Sequence, residues 1–248
     1  MSHPNGCEMC GGKGYVLLDV PIGHPAFGRA VPCQCTRGSI AKRRAEKLRE
    51  QAGISDAELR FWRFDTFKAE MCQPPAIRPA MEAAKQRCKE FAEQPRGWLI
   101  LSGAFGSGKT HLAYAIASEA LAHGMAVFAA TAPDLLDVLR AGYDDDNDGF
   151  ERRFRDMRNA ELLVIDDLGT EAAKPWPTEK LYQIINWRYA RRLPMVVTTN
   201  VDLERRSRHL DERIRSRLLE GTRVAGGFCQ LLPLPARDFR PEKREMIV

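Results

Sequence analysis

Eight consecutive residues carry the most specific chemistry in this chain. Gly103-Ala104-Phe105-Gly106-Ser107-Gly108-Lys109-Thr110 fit the pattern G-x-x-x-x-G-K-[ST] without a mismatch. Glycines at 103, 106 and 108 let the backbone bend so that successive N–H groups point inward, making a concave anion site. Ala104, Phe105 and Ser107 contribute the rest of that cradle, and His111 continues it into the next segment. Lysine at 109 suits the β- and γ-phosphates of a nucleotide, and the Thr110 hydroxyl suits the Mg²⁺ that travels with them. The implied chemistry is the gripping of a triphosphate, with ATP and Mg²⁺ as the expected ligands.

Three further elements could complete such a site. Glu161-Leu-Leu-Val-Ile-Asp166-Asp167 is an apolar run ending in two acids. Asp166 is expected to hold the Mg²⁺ shell, and Asp167 to orient or deprotonate the attacking water. Asn200 ends the apolar run PMVVTTN and could position water beside the γ-phosphate. Arg213 and Arg217 are four apart in DERIRSRLLEG and would share one helix face, from which an arginine could stabilise transition-state charge on a neighbouring subunit's nucleotide.

A second cluster lies at the N-terminus. Cys7-x2-Cys10 and Cys33-x-Cys35 place four of the seven cysteines within the first 35 residues. Two close pairs let two turns clasp one tetrahedral Zn²⁺, and a segment this short needs a metal to supply its folding free energy. His24 could replace one thiol. Disulfides would need an oxidising compartment, for which the N-terminus offers no secretory layout, so a cytoplasmic protein is expected. Cys72, Cys88 and Cys229 read as small buried residues.

The elements that must position these residues follow from periodicity. WLILS at 98–102, AVFAA at 126–130, ELLVID at 161–166 and PMVVTT at 194–199 are short apolar runs separated by stretches with helical spacing. Strands alternating with helices predict an α/β fold, a parallel sheet covered by helices on both faces. Residues 1–37 read as the zinc-stapled module, 38–63 as a basic helical linker and 64–248 as the nucleotide-binding domain. With 248 residues, 44% hydrophobic and 29% charged, the chain is neither disordered nor fibrous, and no apolar run approaches the ~20 residues of a membrane helix. A net charge of +5 is compatible with a polyanionic partner without requiring one.

Taken together, GAFGSGKTHLAYAIA, LLVIDDLGTE, IINWRY, VVTTN and ERIRSRLLEG resemble the AAA+ ATPases of the DnaC/DnaI/IstB group, the bacterial and phage helicase loaders and a related transposition helper. The resemblance covers about residues 64–240, and FDTFKAE at 64–70 is similar to the entry of that core. It implies Lys109 and Thr110 as phosphate and magnesium residues, Asp166 as the metal-side acid and Asp167 as the catalytic carboxylate. Asn200 takes the place of the first sensor and Arg217 that of an arginine finger. Many AAA+ proteins carry Glu where Asp167 stands. The 31 residues after Arg217 imply a reduced lid, with Arg240 as a substitute second sensor.

The resemblance further implies a replicative hexameric helicase as partner, single-stranded DNA as substrate, self-assembly into an AAA+ oligomer, and a zinc module that docks the helicase. A nucleic-acid-binding zinc ribbon, with Lys13, Arg29 and Arg37, is the rival for that module, and regulation of transposition is the alternative for the whole protein. DDDNDG at 144–149 mimics a calcium loop, but Arg155 stands where the bidentate Glu belongs. Arg152, Arg153 and Arg155 beyond it could face single-stranded DNA. The four tryptophans, Trp62, Trp98, Trp176 and Trp187, read as packing residues.

Overall fold

The computed structural model describes residues 7, 9–24, 27–33, 35, 52–72, 74–137, 147–169, 175–205, 210–223 and 228–235. The chain divides into two compact units, Met1–Lys47 and Leu48–Val248. In the first, β1 (Tyr15–Leu17) and β2 (Ala30–Pro32) form an antiparallel hairpin with Val16 opposite Val31.

The second unit is built on a five-stranded sheet: β3 (Trp98–Ser102), β4 (Val127–Thr131), β5 (Leu162–Leu168), β6 (Met195–Thr199) and β7 (Cys229–Pro233). Their spatial order is β4-β5-β6-β3-β7, and every neighbouring pair is parallel. Side chains alternate across such strands, and the core divides accordingly. Leu99, Leu101, Leu162, Val164 and Val196 face one layer; Trp98, Ile100, Leu163, Ile165, Met195 and Val197 face the other. The first layer is covered by α1 (Asp56–Phe61), α2 (Arg78–Glu93) and α3 (Lys109–Ala122). The second is covered by α4 (Asn147–Asn159), α5 (Pro175–Arg191) and α6 (Glu212–Arg223). A sheet buried on both faces is why the strands read as unbroken apolar runs.

Residues 36–51, most of the basic stretch, lie outside the described residues, as do 138–146 and Arg240. The chain joins the sheet well before Phe64. The Ala129 N–H donates to the Ala52 carbonyl at 2.8 Å, and Ala52 and Ile54 are buried in the first layer. α1 then starts from a capping box in which the Ser55 hydroxyl accepts from the Glu58 N–H while the Glu58 carboxylate accepts from the Ser55 N–H.

One fully buried cation ties the second layer together. Arg188 of α5 donates to the carbonyls of Met157 (3.3 Å) and Arg158 (3.0 Å) at the end of α4, and to those of Ala160 (3.0 Å) and Pro194. Ala160 and Pro194 lie just ahead of β5 and β6, so one guanidinium meets buried carbonyls at a helix end and at two strand entries, sharing that of Pro194 with the Leu163 N–H. Replacing Arg188 by Met should therefore cost about 3 kcal/mol or more of unfolding free energy, since each orphaned carbonyl costs roughly 1–3 kcal/mol. Chemical denaturation checks this; a loss below about 1 kcal/mol rejects the account.

Candidate nucleotide site and cysteine cluster

The glycine-rich segment turns at the C-terminal end of β3, the strand from which the chain crosses to the far edge of the sheet and beside which it finishes with β7. Crevices of this kind, at the carboxyl ends of parallel strands, are where open α/β sheets bind ligands. Gly108 caps α3 with φ +90°, a left-handed conformation, and a Cβ there would lie 2.8 Å from the Phe67 ring. Glycine is required at that position on both counts. The Lys109 ammonium is buried and donates to the carbonyls of Gly103 (2.9 Å) and Ala104 (2.8 Å), which hold it over the loop. Ser107 is buried with a hydroxyl oxygen that meets no hydrogen-bond partner among the described residues. Buried hydroxyls are seldom left so, and an anion seated in the loop would satisfy it. Phe105 is exposed at the tip.

Asp166 sits where the loop meets the sheet. The Thr110 hydroxyl lies 3.1 Å from both of its carboxylate oxygens, and the Thr198 hydroxyl of β6 donates to it at 2.6 Å. Burial pushes the Asp166 carboxyl above its usual range and Asp167's charge adds to this; Thr198 and Thr110 pull it back. A hydroxyl and a buried carboxylate in this arrangement fit a divalent cation, whose charge would relieve the cost of the buried anion.

The two acids are adjacent in a strand, so regular alternation would send them to opposite faces. A bulge prevents this. Ile165 pairs with Val197 but Leu168 pairs with Thr199, giving β5 one extra residue, and Asp167 takes a left-handed φ of 57°. Strain of this kind in a non-glycine residue is characteristic of functional sites. Thr198 supports the bulge from below: its hydroxyl, while donating to Asp166, accepts the Asp167 N–H at 2.8 Å. The Asn200 amide donates to Asp167 at 3.0 Å, and the Asn200 side-chain oxygen is buried without a hydrogen-bond partner among the described residues. Lys109, Thr110, Asp166, Asp167 and Asn200 are thus brought into one linked constellation. Thr198 is the member the sequence reading missed; as the penultimate hydroxyl of VVTTN it looked like ordinary strand composition.

Two predicted residues have other surroundings. The His111 imidazole lies 2.9 Å from the Arg63 carbonyl and 3.2 Å from the Thr66 hydroxyl, with Trp62 and Phe67 edge-on to its ring. Burial lowers its pKa. It therefore clamps the segment before α2 onto the first turn of α3. Arg217 lies on α6 against α5, donating to Asn186 (3.1 Å) and Glu220 (2.9 Å) and resting on the Tyr189 ring. Arg213 pairs with Glu179 at 3.0 Å and with Asp211 at 3.1 Å.

In the N-terminal unit the Cys7 and Cys33 sulfurs are 3.7 Å apart and those of Cys10 and Cys35 3.6 Å, with all four within 4.8 Å of one another. Four bonds of ~2.3 Å around a tetrahedral zinc place sulfurs about 3.8 Å apart, so the set fits that ion. Backbone turns make the clasp: the Gly11 N–H donates to the Cys7 carbonyl (2.8 Å), the Gly14 N–H to the Cys10 sulfur (3.3 Å) and the Cys33 N–H to the Gly14 carbonyl (2.8 Å). N–H groups of Cys10 and Met9 lower the Cys7 thiol to about 7, a head start toward the thiolate that a metal requires. Cys72, Cys88 and Cys229 are buried in the second unit.

With the geometry in place, the chain's kinship can be stated. Residues 80–223 match the family model described as "IstB-like ATP binding protein", more than half of the chain. The chain belongs to this family. The family match covers β3 to α6, and so includes every element of the nucleotide constellation. Among relatives, the replicative helicase loader DnaC of Escherichia coli K12 is 30% identical over 142 residues, 57% of this chain and 58% of that protein. The protein YdaV of the same strain is 31% identical over 71% of this chain and 68% of its own length. The solved DnaC helicase loader superposes with a TM-score of 0.56 at 22% identity, covering 73% of this chain and 99% of that one, and DnaI with 0.54 at 19%, covering 75% and 94%. These likenesses establish the AAA+ fold. The chain spans a little over half the length of the E. coli loader it matches.

Two outcomes test the site. Thr198→Val, nearly isosteric, should weaken the Mg²⁺-dependent part of ATP binding by roughly 10–100-fold, the usual effect of removing a hydrogen-bond partner of a metal-side ligand. Titrating a fluorescent ATP analogue with and without Mg²⁺ measures this, and an unchanged Mg²⁺ dependence would exclude the proposed bulge support. Elemental analysis of the full chain should find stoichiometric zinc that Cys10→Ser and Cys33→Ser variants lose; a wild-type chain that takes up none even after zinc reconstitution rules the cluster out as a metal site.

Proposed function

We propose that the protein is an ATP-dependent loader that delivers a replicative hexameric helicase to single-stranded DNA, acting in the cytoplasm as an AAA+ oligomer. The observation that carries this reading is the joining of two things in one chain: a nucleotide constellation in a family member similar to a helicase loader, and a cysteine-clasped unit with several exposed large apolar side chains.

In this reading residues 103–108 cradle the triphosphate with backbone N–H groups, and Lys109 leaves its loop carbonyls for the β- and γ-phosphate oxygens, which as anions are the stronger acceptors. Thr110 and Asp166 would hold Mg²⁺, whose charge would offset that of the phosphates. Asp167 and Asn200 orient the water that attacks the γ-phosphorus, with Asp167 accepting its proton as the β–γ bridging bond breaks. Arg217 reaches the nucleotide of the adjacent subunit; the partners that steady it, Glu220 and Asn186, are side chains that can release it. Hydrolysis then relaxes the subunit interface and, with it, the grip on DNA and helicase.

The cysteine unit takes the helicase. Tyr15 and Leu17, two apart in β1 and hence on one face of the hairpin, are exposed, as are Leu18, Ile22 and Phe27. So many exposed large apolar side chains in so small a unit suit a protein partner better than a polyanion. Regulation of transposition is the second reading, favoured by the family model itself; assembly on duplex DNA in the presence of ATP is its mark.

Size-exclusion chromatography of the full chain with the hexameric helicase of its own genome is the direct test. Co-elution that Tyr15→Ser/Leu17→Ser abolishes while ATP binding persists is the expected outcome; no co-elution with or without ATP rejects the loader. Separately, Lys109→Ala should abolish ATP binding, and Asp167→Ala should preserve binding while lowering steady-state phosphate release by at least tenfold. Equal release by wild type and Asp167→Ala would remove Asp167 from the chemistry.

A further inference from the structure

At the edge of the sheet opposite the nucleotide constellation, two arginines share one indole. The Arg158 guanidinium carbon lies 3.7 Å from the centroid of the Trp187 ring and that of Arg191 lies 3.1 Å from it. Two groups so close to one centroid cannot occupy the same face without overlapping, so they sandwich the ring. Their charges are then held roughly 7 Å apart, close enough to repel each other appreciably near a protein surface. Arg191 and burial both draw the Arg158 pKa down.

Glu151 on α4 offsets part of the charge on Arg158, and the indole attracts both cations. Among the described residues neither guanidinium meets a carboxylate, and the buried Nε of Arg158 has no hydrogen-bond partner. Both arginines stand in the last turns of α4 and α5, where helix ends favour cations. However, the carbonyls of Met157 and Arg158 at the end of α4 are already taken by the buried Arg188. Exposed Arg155 and Arg192 flank the pair, one on the preceding turn of α4 and one immediately after Arg191. The Trp187 N–H donates to Asn159 at 3.2 Å, so the indole is pinned and fixes the spacing of the two cations.

We propose that the Arg158–Trp187–Arg191 sandwich is a binding surface for the phosphate backbone of a nucleic acid strand. With both faces of the indole occupied, a base cannot stack on it, and recognition falls to the outward N–H edges of two guanidiniums. Those edges match phosphate oxygens bidentately, and two fixed cations suit neighbouring phosphates of one strand. Binding at this surface reads charge and not sequence. It lies a strand length, about 17 Å, from the nucleotide constellation, because Arg188 anchors the same helix ends to the entries of β5 and β6 while the acids stand at the strand exits. The assignment deepens the DNA-binding part of the proposed function and rests on it; it does not depend on which helicase is the partner.

Fluorescence anisotropy of a labelled oligo-dT strand with the full chain and Mg²⁺-ATP, across a salt series, tests the assignment. For a single strand each phosphate contact contributes about 0.7 to the salt slope, or roughly fivefold in affinity near 0.1 M salt. Arg191→Gln, a surface change that leaves the core intact, should weaken binding about fivefold, and Arg158→Gln/Arg191→Gln about 25-fold with a slope shallower by about 1.4, equally on oligo-dA. The Arg158→Lys/Arg191→Lys chain should recover part of the slope. A double Gln variant that binds ATP normally and holds the strand with wild-type affinity and slope overturns the surface while leaving DNA binding as such intact. Polyglutamate that competes as well as an oligonucleotide of equal charge overturns it in favour of an acidic protein. A wild-type chain that binds no strand at all overturns it together with the DNA part of the proposed function; co-elution with the helicase is judged independently.

Discussion

The candidate site depends on one hydroxyl group doing two jobs. Thr198 donates to the Asp166 carboxylate and accepts the Asp167 N–H, so a single side chain on β6 joins the buried acid to the backbone of its neighbour. It thereby gives the extra residue in β5 a partner for its N–H and helps to hold the left-handed turn at Asp167, which the Asn200 amide also meets. Two carboxylates of like charge can be held side by side only where donors are fixed around them. Thr110, Thr198 and Asn200 supply those donors from three elements, α3, the end of β6 and the residue beyond it.

The sheet makes that convergence possible. β3, β5 and β6 are parallel neighbours in the order β5-β6-β3, so their carboxyl ends stand side by side and present the glycine loop, the acid pair and Asn200 at one edge. The buried Arg188 fixes the opposite edge, joining the end of α4 to the entries of β5 and β6. A strand held at its entry cannot slip in register without breaking those bonds, and a slip of one residue would reverse which acid faces Thr110. The cation at one end of the strands and the hydroxyl at the other thus constrain the same register.

Much of this was legible in the sequence for physical reasons. Short apolar runs rich in branched residues, alternating with helical stretches, suit strands buried on both sides, and the glycine spacing before Lys109-Thr110 has few other uses. The acid pair was legible as chemistry but not as geometry, since alternation predicts opposite faces and the bulge depends on a residue 31 positions away, Thr198. His111 was read with the nucleotide because it follows the loop. Its side chain instead holds Arg63 and Thr66, since the first turn of α3 points one face at the phosphates and another at the packed segment before α2. The entry of Ala52 and Ile54 into the core was hidden by the charged stretch that precedes them. Trp187 was rightly read as a packing residue, but what packs on it is two cations, and no pattern in IINWRYARR announces a partner from α4.

The two ends of the sheet also divide the protein's electrostatics. At the carboxyl edge, paired acids stand beside a glycine loop whose lysine is folded onto the loop's own carbonyls. At the entry edge, two arginines are locked at a fixed spacing on one ring. Long cationic side chains on a surface normally spread apart, and here the attraction of one indole for both guanidiniums works against their mutual repulsion. The α5 helix links the two properties physically: it carries Trp187 and Arg191 at one end of the sheet, and along its length Asn186 and Tyr189 hold Arg217.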